Sequence, residues 1–580
     1  MKRDSAADSV LGWLSRAPLL DRLELAALSG WSRSAVYRAF ELLEGERLVE
    51  PVAHASELIA PTRRYTLTAA GLRRLAELEG IDAEHLLHER PVSEQARRLF
   101  LGRIDALAVL YRLCCAVADI AFPIQIRCYR ALPVDLCLRL ADGRTIALVR
   151  LGRINERRSL ARRLARLRDG PAFAAVLLLA PDETRLREAG RRLRSMLQPC
   201  FLALERDAVE AGPESLIWRA PSAEVALSLR EALGVAGPHN SWPTEHVLVR
   251  VSPPVEECSA DGPPDWMLAA WLSPSEKRCL DLIGDWPWLR LDHLAALLGV
   301  SRTRLRGLLR RSGQWGLIVR TKVAGQARLT LSHRGLALLA RRDRASIGEL
   351  RKRWSSEVID PEAGFDWRNL RGFRTRQLLR NLTHTDSVHG FLAAIAEQAR
   401  EKGWDLIQLD PPQRASRYFR FEGQLRSIQP DAFGILYHEV RDQPFFLEWE
   451  RRAVRPSTMA KRLAPYLRYY SSKRPVEDHD VRPLVLVALE NSLAVDHFLR
   501  IARVLQRRTG IVVPTQVSDR GAMAKRGPLG PVWRPVWPPD SGNCIRLNAL
   551  RPSKGEASTF PTTAIPAERE RGTIHASSAS

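Results

Sequence analysis

Apolar positions along this chain follow two rhythms, helical spacing and strand-like runs, and the order in which they occur is used twice. Ser9 to Leu14 starts with helical spacing. Asp21 to Leu28 (DRLELAAL) continues it, with Asp as an N-cap. Gly30-Trp31-Ser32 makes a tight turn into a third helical segment, Ser32 to Leu43. Two extended runs follow, Leu48 to Glu50 and Arg64 to Thr66, and then a closing helix, Ala69 to Leu78. From Val92 the pattern changes to an apolar helix (Leu99 to Ala118) and strands at Pro123 to Cys128, around the Asp142-Gly143 turn, and at Ala174 to Leu179.

After a Pro-, Gly- and Ser-rich stretch the first rhythm returns. Ser273 to Ile283 and Leu291 to Leu298 are helical, and Gly299-Val300-Ser301-Arg302-Thr303 repeats Gly30-Trp31-Ser32-Arg33-Ser34. The run from Arg328 to Leu336 repeats Tyr65 to Leu72. A long helix to about Lys402 precedes strands at Trp404 to Leu409, Asp431 to Leu436, Phe445 to Glu450, Leu484 to Ala488 and Ile511 to Thr515, with a helix at Val495 to Gln506. The internal repeat predicts an α+β / α/β multidomain chain in which a winged helix-turn-helix plus an α/β core, one that resembles the restriction-endonuclease-like core on the residues given below, is duplicated in tandem. Residues 1–85 and 267–348 are the expected winged helix-turn-helix modules, and 236–266 is a linker in which HVLVRV reads as an edge strand. Residues 92–235 are a degenerate nuclease-like α/β core, and 373–517 are the second core. Residues 518–580 are a basic and Pro-rich tail, expected to be disordered from Ser553 onward.

The chemistry concentrates in Pro430 to Tyr470, PDAFGILYHEVRDQPFFLEWERRAVRPSTMAKRLAPYLRYY. It reads as a strand, a turn at Arg441 to Pro444, a second strand and a helix. Period two puts Glu448 and Glu450 on one face, which Asp431 on the neighbouring strand can share. Three converging carboxylates repel unless a cation sits between them, and hard oxygen ligands that leave room for water and phosphate suit Mg2+. Laid beside this stretch, the first half places Asp135 on Asp431, Arg150 on Glu448, Gly152 on Glu450 and Arg163 on Lys461. That reads as a catalytically dead copy.

Net charge +23 on 580 residues, with a sequence pI near 10.4, favours a polyanionic partner, and double-stranded DNA is the first candidate. In the winged motif the third helix enters the major groove. Arg33, Ser34, Tyr37 and Arg38 in the first module, and Arg302, Arg304, Arg306 and Arg310 in the second, are the expected contacts, with Arg63 and Arg64 on the wing. Winged helices also serve protein contacts, so that alternative stands beside the DNA reading. The eight cysteines form no CxxC pair, and they read as reduced core residues of a cytoplasmic protein. No P-loop pattern and no apolar run long enough for a bilayer is present, so no membrane partner is expected.

The Asp, Glu-x-Glu and following-helix pattern resembles the PD-(D/E)XK nucleases, with Glu450 where the lysine usually stands. The resemblance implies that Asp431, Glu448 and Glu450 are catalytic metal ligands and that Lys461, supplied from the helix, is the catalytic lysine. A winged helix joined to such a core, with NLTHTDSVHGF before it and FLEWERRAVRPSTMAKRLAPYLRYY within it, resembles the replication-relaxation family, which is related to MobC-type mobilisation relaxases. The resemblance implies a protein of a plasmid or other mobile element. Its expected activity is Mg2+-dependent site-specific nicking or relaxation of DNA in replication or mobilisation, alongside other replication or mobilisation proteins. The alternative is a non-catalytic DNA-binding regulator or replication factor that keeps the nuclease-like fold as a scaffold.

Overall fold

Capping residues set the first helices. Ser5 caps α1 (Ala6–Arg16), Asp21 and Glu24 form a reciprocal capping box on α2 (Arg22–Ser29), and Ser32 caps α3 (Arg33–Gly45). Gly30 ends α2 at φ 73°, the left-handed conformation that glycine adopts most readily. Strands β1 (Leu20–Asp21), β2 (Val49–His54) and β3 (Thr62–Leu67) form an antiparallel sheet in the order β1-β3-β2, and α4 (Ala69–Glu79) closes the module. A Cβ on Gly71 would lie 2.0 Å from the Leu48 carbonyl oxygen, so only glycine lets α4 approach the sheet this closely.

This computed structural model describes residues 5–131, 133–154, 157–221, 223, 225–240, 242–243, 262–363, 365–438, 441–450, 456–537, 544–545 and 547. The chain divides into two compact units, Met1–Glu401 and Lys402–Ser580. It is a multidomain α+β protein.

In the first unit, α5 (Ile104–Ala121) packs on α2 and leads into a seven-stranded mixed sheet. Its strands are β4 (Gln125–Cys128), β5 (Leu136–Arg139), β6 (Thr145–Arg150), β7 (Ala175–Ala180), β8 (Cys200–Leu204), β9 (Trp218–Arg219) and β10 (Ala226–Leu227), in the spatial order 10-9-8-7-6-5-4. Pairing is antiparallel for β4–β5–β6, parallel for β6–β7–β8 and antiparallel again at β9. Helix α6 (Arg157–Arg168) connects β6 to β7, and α7 (Glu183–Leu193) connects β7 to β8. Such crossovers cover the sheet, which explains why β6 and β7 are buried along their whole length.

The module of four helices and three strands then recurs. It comprises α8 (Pro274–Asp285), α9 (Leu291–Leu298), α10 (Arg302–Gln314) and α11 (His333–Arg342), with β11 (Leu289–Arg290), β12 (Ile318–Val323) and β13 (Gln326–Leu331) ordered β11-β13-β12. Gly299 repeats Gly30 at φ 68°, and Gly335 repeats Gly71, its Cβ position 2.2 Å from the Leu317 oxygen. Helix α12 (Leu382–Glu401) packs on α9 as α5 packs on α2.

The second unit holds a six-stranded sheet, β14-β17-β18-β19-β20-β21. Its strands are β14 (Asp405–Asp410), β17 (Ala432–His438), β18 (Arg441–Glu450), β19 (Leu484–Leu489), β20 (Thr515–Asp519) and β21 (Arg534–Pro535). A separate hairpin, β15 (Arg417–Phe421) and β16 (Gln424–Ile428), lies between β14 and β17 in sequence. Strand senses repeat those of β4 to β9 one for one. Helix α13 (Pro456–Tyr470) stands where α6 stands, and α14 (Ser492–Thr509) where α7 stands.

Several boundaries differ from expectation. Gly102 and Arg103 split the first long helix into Glu94–Leu101 and Ile104–Ala121. Arg441 to Pro444 is strand, not turn, with Pro444 opposite Ile435. Pairing with β19 begins only at Phe445, so the missing N–H of Pro444 falls where β18 has a partner on one side only. The last parallel strand starts at Thr515, four residues later than its apolar run suggests. The HVLVRV strand and the tail from Ser553 lie outside the described residues.

Candidate functional site

The register of β17 and β18 builds the site. Ala432 pairs with Leu447, and the Asp431 N–H donates to the Leu447 carbonyl at 2.8 Å, so Asp431 sits across from Glu448. The Trp449 N–H donates to Asp431 Oδ2 at 2.8 Å and holds that carboxylate at the strand end. Glu448 is half-buried, and its Oε1 accepts a 2.5 Å hydrogen bond from the Tyr466 hydroxyl of α13. Burial and the facing Asp431 carboxylate push the Glu448 carboxyl up to about 8. Two acids placed this closely in a partly dry position cannot both ionise cheaply.

Glu450 is turned to a different partner: its carboxylate is ion-paired with Arg462 of α13. Lys461, the preceding helix residue, is exposed. The helix side chains that reach the acids are therefore Arg462 and Tyr466, four residues apart on one helix face. Sequence reading missed both. The buried spacing Met459, Leu463, Tyr466 was the available signal, because it fixes which helix positions face the sheet.

Among the described residues, no group of three or more His, Cys, Asp and Glu side chains is placed to hold a metal ion. What the strands bring together is the pair Asp431 and Glu448. That donor set fits Mg2+, which is commonly held by one or two carboxylates, with water and phosphate completing the shell.

The equivalent place in the first core corrects the expected residue correspondence. There the Asp135 N–H donates to Leu148 O at 2.9 Å, and the Arg150 N–H donates to Asp135 Oδ2 at 2.7 Å. Asp135 thus matches Asp431, but Arg150 matches Trp449; Val149 takes the place of Glu448, and Leu151 that of Glu450. On the helix, buried Leu164 and Leu167 match Leu463 and Tyr466, so Arg163 corresponds to Arg462 and not to Lys461.

Protein cations fill this copy. Arg163 Nη2 is 2.6 Å from Asp135 Oδ2, and Arg344, just beyond α11, places Nη1 2.7 Å from Asp135 Oδ1. Burial opposes the charge on Asp135, but Arg163 and Arg344 outweigh it and hold the carboxyl well below its ordinary range. Around it Arg150 pairs with Glu205 at 3.0 Å and lies 3.6 Å from Asp343, and Arg342 pairs with Asp281 at 2.8 Å. A Cβ on Gly152 would lie 2.2 Å from Asp343 Cβ, so glycine there lets the second module seat.

The expected nucleic-acid contacts fare unevenly. Arg33, Ser34, Tyr37 and Arg38 of α3, Arg63 of β3, and Arg302, Arg304, Arg306 and Arg310 of α10 are all exposed. A cleft of about 220 Å³ opens beside α10, lined by Arg290, Asp292, Arg302, Leu305, Arg306 and Gln326. Arg64 does not belong to this surface. Its side chain is fully buried, bonded to both Glu24 oxygens at 2.8 and 2.9 Å and to the Leu19 carbonyl at 2.8 Å. Strand alternation sends Arg63 outward and Arg64 inward. Arg328 repeats the arrangement, pairing with Asp386 of α12 and donating to the Trp288 carbonyl. No helix among the described residues is long and apolar enough to cross a membrane. The chain matches no protein-family model, no curated protein and no solved structure.

Proposed function

We propose that this chain is a DNA-processing protein of the replication-relaxation type. In this reading two winged helix-turn-helix modules grip duplex DNA, and the second, PD-(D/E)XK-like core nicks it with Mg2+. The observation that carries the proposal is the Asp431–Glu448 pair on adjacent strands, whose mutual repulsion calls for a cation. The same strand order and senses recur in the first core, where Val149 and Leu151 replace the acids and Arg344 supplies the positive charge. Exposed arginine on α3 and α10 supports DNA as substrate.

Asp431 and Glu448 would hold the ion, which supplies charge neutralisation at the scissile phosphate and a more acidic attacking water. Tyr466 keeps Glu448 oriented through Oε1. Arg462, held near the acids by Glu450, takes the role first assigned to Lys461: a fixed cation beside the charge that develops on phosphorus. One observation favours a second reading. Glu450 is engaged by Arg462, which suits a core that serves as a non-catalytic scaffold for a DNA-binding regulator. Incubation with supercoiled plasmid separates the two. Open circles that form with Mg2+ and not with EDTA support nicking, whereas retention of plasmid without nicking supports the scaffold.

A further inference from the structure

The two cores differ most in the link between the first strand and the aspartate that both possess. In the first core six residues, 129–134, join β4 to Asp135; in the second, residues 411–430 join β14 to Asp431 and contain the β15–β16 hairpin. The copy with Glu448 and Glu450 carries the hairpin, and the copy with Val149 and Leu151 in their places does not. Only Gln429 and Pro430 separate β16 from Asp431.

One side of the hairpin is rooted in the core as far as Phe421, while its turn and its other side are exposed. Phe419 and Ile428 are buried in the main cluster of the second unit, and the Arg417 guanidinium lies 4.7 Å from the Phe433 ring centroid. Five paired positions, Arg417↔Ile428 to Phe421↔Gln424, run to a two-residue turn at Glu422-Gly423 with φ of 49° and 73°. Both values are left-handed, as tight hairpins with matched twist require. Beyond the root, Arg420, Gln424, Leu425 and Arg426 are exposed. Leu425, 71 % exposed, pairs across the ladder with Arg420 and is followed by Arg426. A lone two-stranded ribbon is marginal in water, and this one is held by Phe419, Phe421 and Ile428, so the exposed Arg420–Leu425 pair adds nothing to that packing.

We infer that the β15–β16 hairpin is a DNA-entering ribbon that seats the duplex on the Asp431–Glu448 pair, with Arg420 and Arg426 on phosphates and Leu425 against base edges. A two-stranded ribbon fits the major groove, where an apolar side chain can meet a thymine methyl. The proposal rests on the DNA-processing reading above.

The test uses the full chain, a short labelled duplex of mixed sequence, and the variants Arg420→Ala/Arg426→Ala and Leu425→Ala. Unchanged thermal unfolding establishes that the tip, not the fold, has been altered. The double variant should bind about tenfold more weakly near 100 mM salt, and its log–log salt slope should fall by about two, one for each lost phosphate contact. Leu425→Ala should keep the parent's slope and nick supercoiled plasmid severalfold more slowly. If the parent binds and both variants match it in affinity, slope and nicking, the hairpin assignment is wrong while the DNA reading stands. If the parent binds no duplex at all, the DNA reading falls and takes this proposal with it.

Discussion

The Tyr466 hydroxyl donates to Glu448 Oε1 at 2.5 Å, on a strand position directly across from Asp431. The hydrogen bond favours the ionised acid, but burial and the Asp431 charge prevail, and the Glu448 carboxyl titrates near 8. An unfolded glutamate titrates near 4.3, so between these values the native state holds more protons than the unfolded state. Stability without metal should therefore fall as pH rises from about 4.3 to 8. Glu448→Gln removes the effect. It should unfold like the parent at pH 4 and be more stable by up to about 5 kcal/mol at pH 8.5, measured by urea melts in EDTA. Parallel pH profiles would show that Glu448 is not strained.

Acid should act on the first unit through a different pair. His293 and His389 are buried, with ring centroids 6.3 Å apart, and burial lowers them to about 4 and about 3. Because the native state resists their protonation, stability is fully present above about pH 6.5 and declines as pH falls below it, by up to about 1.4 kcal/mol per pH unit for each ring. His389→Phe keeps an aromatic ring against Trp286, which the His389 ring meets edge-on, and should flatten the acid limb. Tryptophan-monitored unfolding between pH 4 and 7 checks this, and an unchanged slope would contradict it.

The arginines of the wing should separate cleanly. Arg63→Ala, at an exposed site, should change stability by less than about 0.5 kcal/mol and weaken binding to mixed-sequence duplex. Arg64→Ala leaves Glu24 buried without its bidentate partner and should cost about 3–5 kcal/mol. Equal stability of the two variants in chemical denaturation would refute the inward assignment of Arg64.

In the first core, Arg344→Ala strips one of two cations from buried Asp135 and should destabilise the first unit by about 3–5 kcal/mol. Arg344→Ala combined with Asp135→Asn should lose less than the sum of the two single variants, since the buried carboxylate that misses Arg344 is then neutral. Strictly additive losses in the double-mutant cycle would show that the pair does not interact.

Much of this was legible in the chain. The Gly-x-Ser-Arg turn marks both helix-and-strand modules, because a left-handed cap followed by a serine N-cap has few substitutes. Asp431 and Glu448 were legible from period two and from the strand order. The correspondence between the cores was not. Matching polar residues set Arg150 on Glu448, yet the backbone bonds from Asp135 to Leu148 and from Asp431 to Leu447 fix a register one residue away. A slip of one residue turns every strand side chain to the other face, so the position of Glu448 is taken in the first core by Val149 and not by Arg150. The same slip put Lys461 where Arg462 belongs. The β15–β16 hairpin is hard to read in the sequence because the alternation of β15 covers only five residues and is interrupted by arginine, and β16 is exposed along most of its length. Arg64 was misplaced because arginine on a strand was read as surface, whereas Glu24 makes its burial possible.

The most direct test of the central claim compares Asp431→Asn with Asp135→Asn in nicking of supercoiled plasmid, with the parent and EDTA controls alongside. Asp431→Asn should fold and bind duplex but lose Mg2+-dependent open-circle formation by about 100-fold or more, as expected when a group that acts in the transition state is removed. Asp135→Asn, assayed at a temperature where it remains folded, should nick at the parent's rate. Equal loss in both variants, or full activity in Asp431→Asn, would contradict the assignment of the live site to the second core.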